Sequence, residues 1–393
     1  MLGGAIIGAI TAGWVAGRVG RRGAIASAFA PSAGVLIAAR VVVGLGIGLT
    51  SVAVPMYISE TSPPARRGAL VSLYQLAITI GILVATLVDE AFVDVSGGWR
   101  WDLGLAVVAA GVLALGMAGA PESPRYLAEH GFPERARDVL AGLLPADKVE
   151  PTLGGIQTQI STESGGSWRD LLAPSLRAML IVAVVMAAVQ QFTGINTVIY
   201  YDVDIFERAG IVDASGAIWA AVAVALANVL STLIAIRYVD RLGRRPLLML
   251  GLDGMAISLV VLGGAFLFEG DVASTLSIVS LVAYVICFAF SLGPIVWVLI
   301  SEIYPQAVRG PAMSFATMVN WASNLLVALT FLTLLDTLGE SATFWLYAGI
   351  CILAIVFVYS KVPETKGKTL EQIAADTASV GTAAAFRGAG DLG

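Results

Sequence analysis

Long uncharged stretches of apolar residues, each stopped by a small group of charged ones, divide this chain. The runs at 103–120, 179–201, 218–236, 247–268, 276–300, 312–335 and 344–362 mostly match the roughly 20 residues an α-helix needs to cross a bilayer. A membrane β-barrel would instead show ten-residue segments of alternating polarity, and the runs lack that period. The pattern predicts an all-α polytopic membrane protein. Composition agrees: 58% of the 393 residues are hydrophobic and 13% charged, with a mean hydropathy of +0.86. Soluble domains carry about 25% charged residues. Met1 opens directly into an apolar stretch that reads as a span, not as a secretory leader.

The charges then orient the spans. Basic residues gather in alternate loops: Arg18, Arg21 and Arg22; Arg66 and Arg67; Arg125 to Arg177; Arg241, Arg244 and Arg245; Arg309; Lys361, Lys366 and Lys368. The intervening loops carry Asp89, Glu90 and Asp94; Asp204, Glu207 and Asp213; Glu269 and Asp271; Asp336 and Glu340. The positive-inside rule places the basic loops in the cytoplasm. A net charge of −5 without a basic patch argues against nucleic-acid binding. Cys287 and Cys351 sit inside apolar runs, so neither a disulfide framework nor a zinc site is expected. No P-loop occurs, which argues against ATP-driven work, and no cofactor or metal is expected. His130 reads as a solvated loop residue.

The two halves of the chain echo each other. Gly17-Arg-Val-Gly-Arg-Arg22 returns as Asp240-Arg-Leu-Gly-Arg-Arg245, Ser59-Glu60 with Arg67-Gly68 as Ser301-Glu302 with Arg309-Gly310, and Pro121-Glu-Ser-Pro-Arg125 as Pro363-Glu-Thr-Lys-Gly367. Parallel repeats in membrane proteins build two bundles around a central site. Glu60 to Glu302 and Glu122 to Glu364 both span 242 positions, whereas Arg21 to Arg244 spans 223. The first half is therefore 19 residues short between Arg21 and Glu60, where two crossings must fit. The weak span is 23–39, with Pro31 inside it. One further span is missing upstream, so about ten to eleven are expected, in an incomplete N-terminal bundle. Expected domains are a truncated bundle at 1–120, a cytoplasmic helical linker at 121–175, a C-terminal bundle at 176–362 and a tail at 363–393.

Four motifs in register carry a family resemblance: Pro121-Glu-Ser-Pro-Arg125; Gln190-Gln-Phe-Thr-Gly-Ile-Asn196 with Tyr200-Tyr201; Gly293-Pro-Ile-Val-Trp297 with Ser301-Glu-Ile-Tyr-Pro305; and Pro363-Glu-Thr-Lys-Gly-Lys-Thr-Leu370. The chain resembles the sugar porter family of the major facilitator superfamily over residues 1–373. Residues 330–339 with Asn320-Trp321 look closest to the bacterial galactose–proton symporter branch.

The chemistry fits such a resemblance. A sugar offers a ring of hydroxyls and some apolar C–H faces. Side-chain amides both donate and accept, and an indole offers a flat face and one N–H. Gln190, Gln191 and Asn196 lie mid-span, with Gln191 and Asn196 about one and a half turns apart. Read as residues alone, they are equally well polar glue between helices. The resemblance makes them sugar ligands, stranded in hydrocarbon until a polyol replaces the water they lack. It likewise implies a cavity-lining or gating Tyr200 (a packing aromatic otherwise), and ligand roles for Asn228, Asn320, Trp321 and Gln75. Gly293-Pro294 breaks the helical ladder and permits a kink. Trp297, one turn on, is implied as the platform beneath the sugar; the alternative is an interfacial belt residue.

The resemblance also implies cytoplasmic gating charges: Arg18, Arg21, Glu60, Arg67 and Arg125 in the first half, and Arg241, Arg244, Glu302, Arg309 and Glu364 in the second. Topology alone would explain the arginines but not two glutamates at equivalent positions. By the same resemblance Arg40, inside an apolar run, matches the family's proton-coupling arginine, whose acid partner is expected on a helix with no counterpart in this sequence; otherwise Arg40 snorkels to the interface. The expectation is a monomeric multi-pass protein of the cell inner membrane, not an enzyme, that moves a monosaccharide with protons by alternating access. Facilitated diffusion, a non-transporting sugar sensor and an inactive truncated transporter are the alternatives.

Overall fold

The structure is a computed structural model describing residues 1–10, 31–62, 66–92, 94–162, 168–208 and 214–366. Among these residues all regular elements are helices. The first half comprises α1 (Leu2–Ile10), α2 (Ala33–Thr61), α3 (Arg67–Phe92) and α4 (Trp99–Ala118). Three short helices follow: α5 (Pro124–Glu129), α6 (Pro133–Leu143) and α7 (Ala146–Thr162). The second half comprises α8 (Arg177–Phe192), α9 (Ile195–Tyr200), α10 (Asp202–Arg208), α11 (Ala214–Leu242), α12 (Arg244–Ala265), α13 (Asp271–Phe290), α14 (Leu292–Ile303), α15 (Gln306–Leu338) and α16 (Glu340–Lys361). Eight helical segments among the described residues are long and apolar enough to span a membrane.

The expected short span at 23–39 takes a different form where it is described. Residues 33–39 are the first turns of α2, which runs unbroken past Arg40 and Pro55 to Thr61. Ser32, just after Pro31, caps it by accepting the Val35 N–H at 3.5 Å. Residues 11–30, including Arg18 and Arg21, and the tail from 367 lie outside the described residues.

Two spans of the second half break in mid-course. The run at 179–201 is not one helix: α8 ends at Phe192, Gly194 takes a left-handed φ of 91°, and α9 restarts at Ile195. Only glycine enters that region without strain. The second break falls at Ser291, between α13 and α14. Pro294 is then the third residue of a new helix, where its missing N–H costs nothing. The sequence placed a kink there; the structure places a full interruption.

A broken helix frees backbone carbonyls, which in hydrocarbon must find donors inside the protein. At the first break the Tyr284 hydroxyl, fully buried on α13, donates to the Thr193 carbonyl at 2.8 Å. At the second, Gln190 bonds to the first turn of the new helix, as described below. Around them the second half packs a dense core, with Phe331, Phe344, Leu252 and Met255 buried and Phe266 stacked on Phe344 at 5.7 Å.

The halves meet along α3–α11 and α1–α15, and α3 also touches α14. Outside the spans, α5–α7 close over a small core of Leu127, Ala136, Leu140, Val149 and Leu153. The linker's exposed faces carry ion pairs such as Arg137–Glu134 at 2.9 Å. The positive-inside orientation yields a labelling test. A cysteine in place of exposed Asp271 should react with a membrane-impermeant maleimide on intact cells. One in place of Glu134 should react only after the membrane is opened. The reverse pattern would invert the topology.

Candidate functional site

The two breaks face each other, and a cluster of amides fills the space between them. The Gln190 Nε2 donates to the Leu292 carbonyl at 2.9 Å and the Gly293 carbonyl at 3.2 Å. Its Oε1 accepts from Asn320 Nδ2 at 2.7 Å. Asn320 Nδ2 also donates to the Ala187 carbonyl at 2.9 Å. Gln191 Nε2 donates to Asn320 Oδ1 at 3.2 Å, and Asn196 Nδ2 donates to Gln191 Oε1 at 2.5 Å. Gln190, Gln191 and Asn320 are all buried. Four of the sequence-predicted residues, from α8, α9 and α15, thus form one network.

This arrangement corrects one expectation. The amides are not stranded: they satisfy one another and the backbone. The helical spacing of Gln191 and Asn196 is also replaced by a turn at Gly194, which brings Asn196 back against Gln191.

Other expected residues sit around the network. Gln75, buried on α3, reaches the second break from the opposite half; a Cβ built on Gly293 would lie 3.5 Å from its Nε2. Trp297 is buried in the seam between halves, edge-to-face with Tyr74 at 6.2 Å and 89°. Val71 and Val298 pack beside it. Tyr200 is exposed, and its hydroxyl accepts from Asn324 Nδ2 at 3.4 Å. Asn228 Oδ1, Trp321 Nε1 and Asn324 Oδ1 have no hydrogen-bond partner among the described residues. Asn228 and Asn324 are buried at 3% and 1% exposure, so each orphan carries a desolvation penalty that an incoming hydroxyl would relieve. Asn324 escaped the sequence reading; it lies one turn beyond Asn320, and that spacing was the available signal.

A second cluster, of charges, lies on the basic side. Arg244, 4% exposed, donates through Nε and an Nη to the two oxygens of Glu302 at 3.1 and 2.7 Å, and to Asp240 at 3.0 Å. Glu302 also accepts from the Thr365 hydroxyl at 2.7 Å. Glu364 accepts the backbone N–H groups of Arg244 and Arg245 at 3.1 and 3.0 Å. Arg241 contributes its carbonyl, which accepts from Lys366 Nζ, and its side chain is exposed. Buried Arg309 donates to the Tyr304 carbonyl at 3.2 Å. Arg125 pairs with Glu129 at 3.1 Å within α5. The side chains of Glu60 and Arg67 lie outside the described residues, and Arg40 is half-buried in α2.

One polar contact between the halves escaped the sequence reading. Asp240 accepts the Ala69 N–H at 3.1 Å, at the start of α3. A helix N-terminus carries unpaired N–H groups and a partial positive charge, so a carboxylate there is favoured. Gly68 makes the approach possible: a Cβ there would meet Asp240 at 2.4 Å and Arg244 at 2.7 Å. The hint was the repeat itself, in which Asp240 stands where the first half has Gly17.

On the acidic side, Asp202 opens α10 beyond the span, and its carboxylate accepts the Val203 N–H at 2.8 Å. Burial pushes its carboxyl up to about 6, with the Asp89 and Asp204 carboxylates adding to the rise against the pull of backbone donors.

Two bundles meeting at a polar centre built on broken helices, closed on one side by a charge cluster, define a membrane carrier of the alternating-access type. The family model described as Sugar (and other) transporter matches residues 1–376. The galactose-proton symporter of Escherichia coli (strain K12) is 38% identical over 388 residues, which cover 95% of this chain and 83% of that protein. Among solved structures, the major facilitator superfamily proton:xylose symporter XylE bound to 6-bromo-6-deoxy-D-glucose shares 30% identity at a TM-score of 0.82, covering 95% of this chain and 87% of that one. Its inward open conformation from E. coli scores 0.72 at 30% identity, over 95% of this chain and 86% of that one. The chain belongs to the sugar transporter family, with the major facilitator fold, as a multi-pass protein of the inner membrane.

The raised Asp202 carboxyl fixes a sign. Between pH 3.8, the ordinary aspartate value, and about 6, the folded chain holds a proton that the unfolded chain has lost. Stability from this group therefore falls as pH rises through that window and is level outside it. Asp202→Asn should remove that fall, seen as melting in detergent at pH 4.5 and 7; an unchanged pH slope would place the titration elsewhere.

Proposed function

We propose that this chain carries a monosaccharide, a hexose, across the inner membrane by alternating access coupled to protons. The observation that carries the proposal is the amide network of Gln190, Gln191, Asn196 and Asn320 at the facing helix breaks. Amides held in pairs are matched to an alternating ring of hydroxyl donors and acceptors, and their mutual bonds are those a sugar would exchange. Gln75 and Gly293 extend the site to the other half. Asn228, Asn324 and Trp321 supply unpartnered atoms for further hydroxyls, Tyr200 guards the outer approach, and Trp297 offers an indole beside Tyr74. The symporters of galactose and xylose among its relatives support both the sugar and the proton. The chain works as a monomer in lipid, without cofactor or metal, and no bond of the sugar is made or broken.

Arg244, Glu302, Asp240 and Glu364 form the cytoplasmic gate, with Arg241, Arg309, Arg125, Glu60, Arg67, Arg18 and Arg21 as its charged surroundings. Arg40 serves proton coupling from α2. What matters for transport is the difference in the gate's strength between the two states.

Uptake of labelled hexoses in a transporter-deficient host, with and without a proton gradient, tests the proposal. Gln191→Ala should abolish uptake while the protein stays in the membrane; undiminished uptake would overturn the site. Asp240→Ala should remove the carboxylate that accepts the Ala69 N–H across the seam. The closed form weakens by about 0.3–2 kcal/mol, the scale of a carboxylate at a helix N-terminus. A cysteine placed at Ser59 should then react faster from the cytoplasmic side. No change in that rate would remove Asp240 from the gate.

A further inference from the structure

The amide network lies on one face of α8; the opposite face meets the lipid. There Val184, Val185 and Ala188 line a groove of about 470 Å³ with Leu353, Ala354 and Phe357 of α16. Its lining is apolar throughout, and the two alanines stop at Cβ, which leaves the trough between the helices. The helices run antiparallel, so Val184 and Phe357 share the cytoplasmic end of the groove, and Phe192 and Ile350 share the other.

An apolar lining alone selects nothing in a bilayer, because acyl chains are as apolar as the side chains they would replace. Selection comes from charge at the mouth. Arg177 begins α8 about two turns before Val184, and Lys361 ends α16 about one turn beyond Phe357. Both ends lie on the basic, cytoplasmic side. Two cations thus flank the groove at headgroup depth, on the leaflet that holds anionic lipids.

We propose that the groove between α8 and α16 seats one acyl chain of an anionic phospholipid, with its phosphate held between Arg177 and Lys361. The occupant would touch the helical turn that carries Gln190 and Gln191 and end beside the break at Gly194. It fills space behind the site and so favours the packing in which α8 presents its amides inward.

The test reads binding rather than transport, so it stands or falls apart from the sugar assignment. The full chain in nanodiscs is exposed to phosphatidylglycerol or phosphatidylcholine carrying a diazirine in one acyl chain, and the cross-linked peptides are mapped. Phosphatidylglycerol should label 184–192 and 350–357 in preference to phosphatidylcholine. Arg177→Gln and Lys361→Gln should each reduce that preference about fivefold, the scale of one basic residue near an anionic surface. Ala188→Leu should fill the trough and move the label elsewhere, and the charge variants still decide if that variant fails to fold. Equal labelling by both lipids, labelling indifferent to both charges, or cross-links to a second copy of the chain would overturn the proposal.

Discussion

Two helices interrupted inside hydrocarbon must be held at their breaks by groups from the protein, because water cannot reach them, and the site depends on those holds. Gln190 on α8 grips the first turn of α14 through the Leu292 and Gly293 carbonyls, and Tyr284 on α13 meets the Thr193 carbonyl at the first break. Each donor comes from the neighbouring span, so the two breaks support each other. Asn320 then fixes Gln190 and Gln191 from α15. The polar centre is therefore first a structural clamp, and the same groups are those we propose to meet a polyol.

This has a consequence for affinity. A ligand that found empty donors would gain the whole desolvation penalty of each and bind tightly. A ligand that must open amide–amide bonds exchanges one bond for another. Hydrogen bonds between membrane helices average about 0.6 kcal/mol, close to thermal energy, so the exchange is nearly neutral. A carrier must release on the far side what it took up on the near side, and a nearly neutral exchange suits that. In the site we propose, the orphan atoms of Asn228, Asn324 and Trp321 would add a modest bias toward occupancy.

The sequence carried much of this. Apolar run length marked the spans, because the bilayer leaves the backbone few options. The amide motif marked three of the four residues that the structure joins in one network, and Gly293-Pro294 marked one of the breaks. The other break was available only as a lone Gly194 within an apolar run, and period alone cannot separate a left-handed turn from a packed glycine. Contacts between halves were harder still. Asp240 looked like one member of a basic loop, and its partner is a backbone N–H at Ala69, which has no sequence signature. Asn324 was hidden by the more familiar pair one turn earlier.

In the gate we propose, a charge cluster closes one side without locking it. Arg244 is buried with two carboxylates, and both stay paired within the second half. Asp240 also reaches across, to the first turn of α3. Carboxylates at helix N-termini are worth about 0.3–1 kcal/mol when exposed and up to about 2 when partly buried. Opening the halves at this contact breaks the weak bond and leaves the pairs of Arg244 within the second half intact. Had Arg244 itself bridged the halves, separation would have stranded it at a cost of about 3–5 kcal/mol. Placing the strong pair within one half and the light contact between halves keeps the two states close enough in energy for a bound ligand or proton to choose between them.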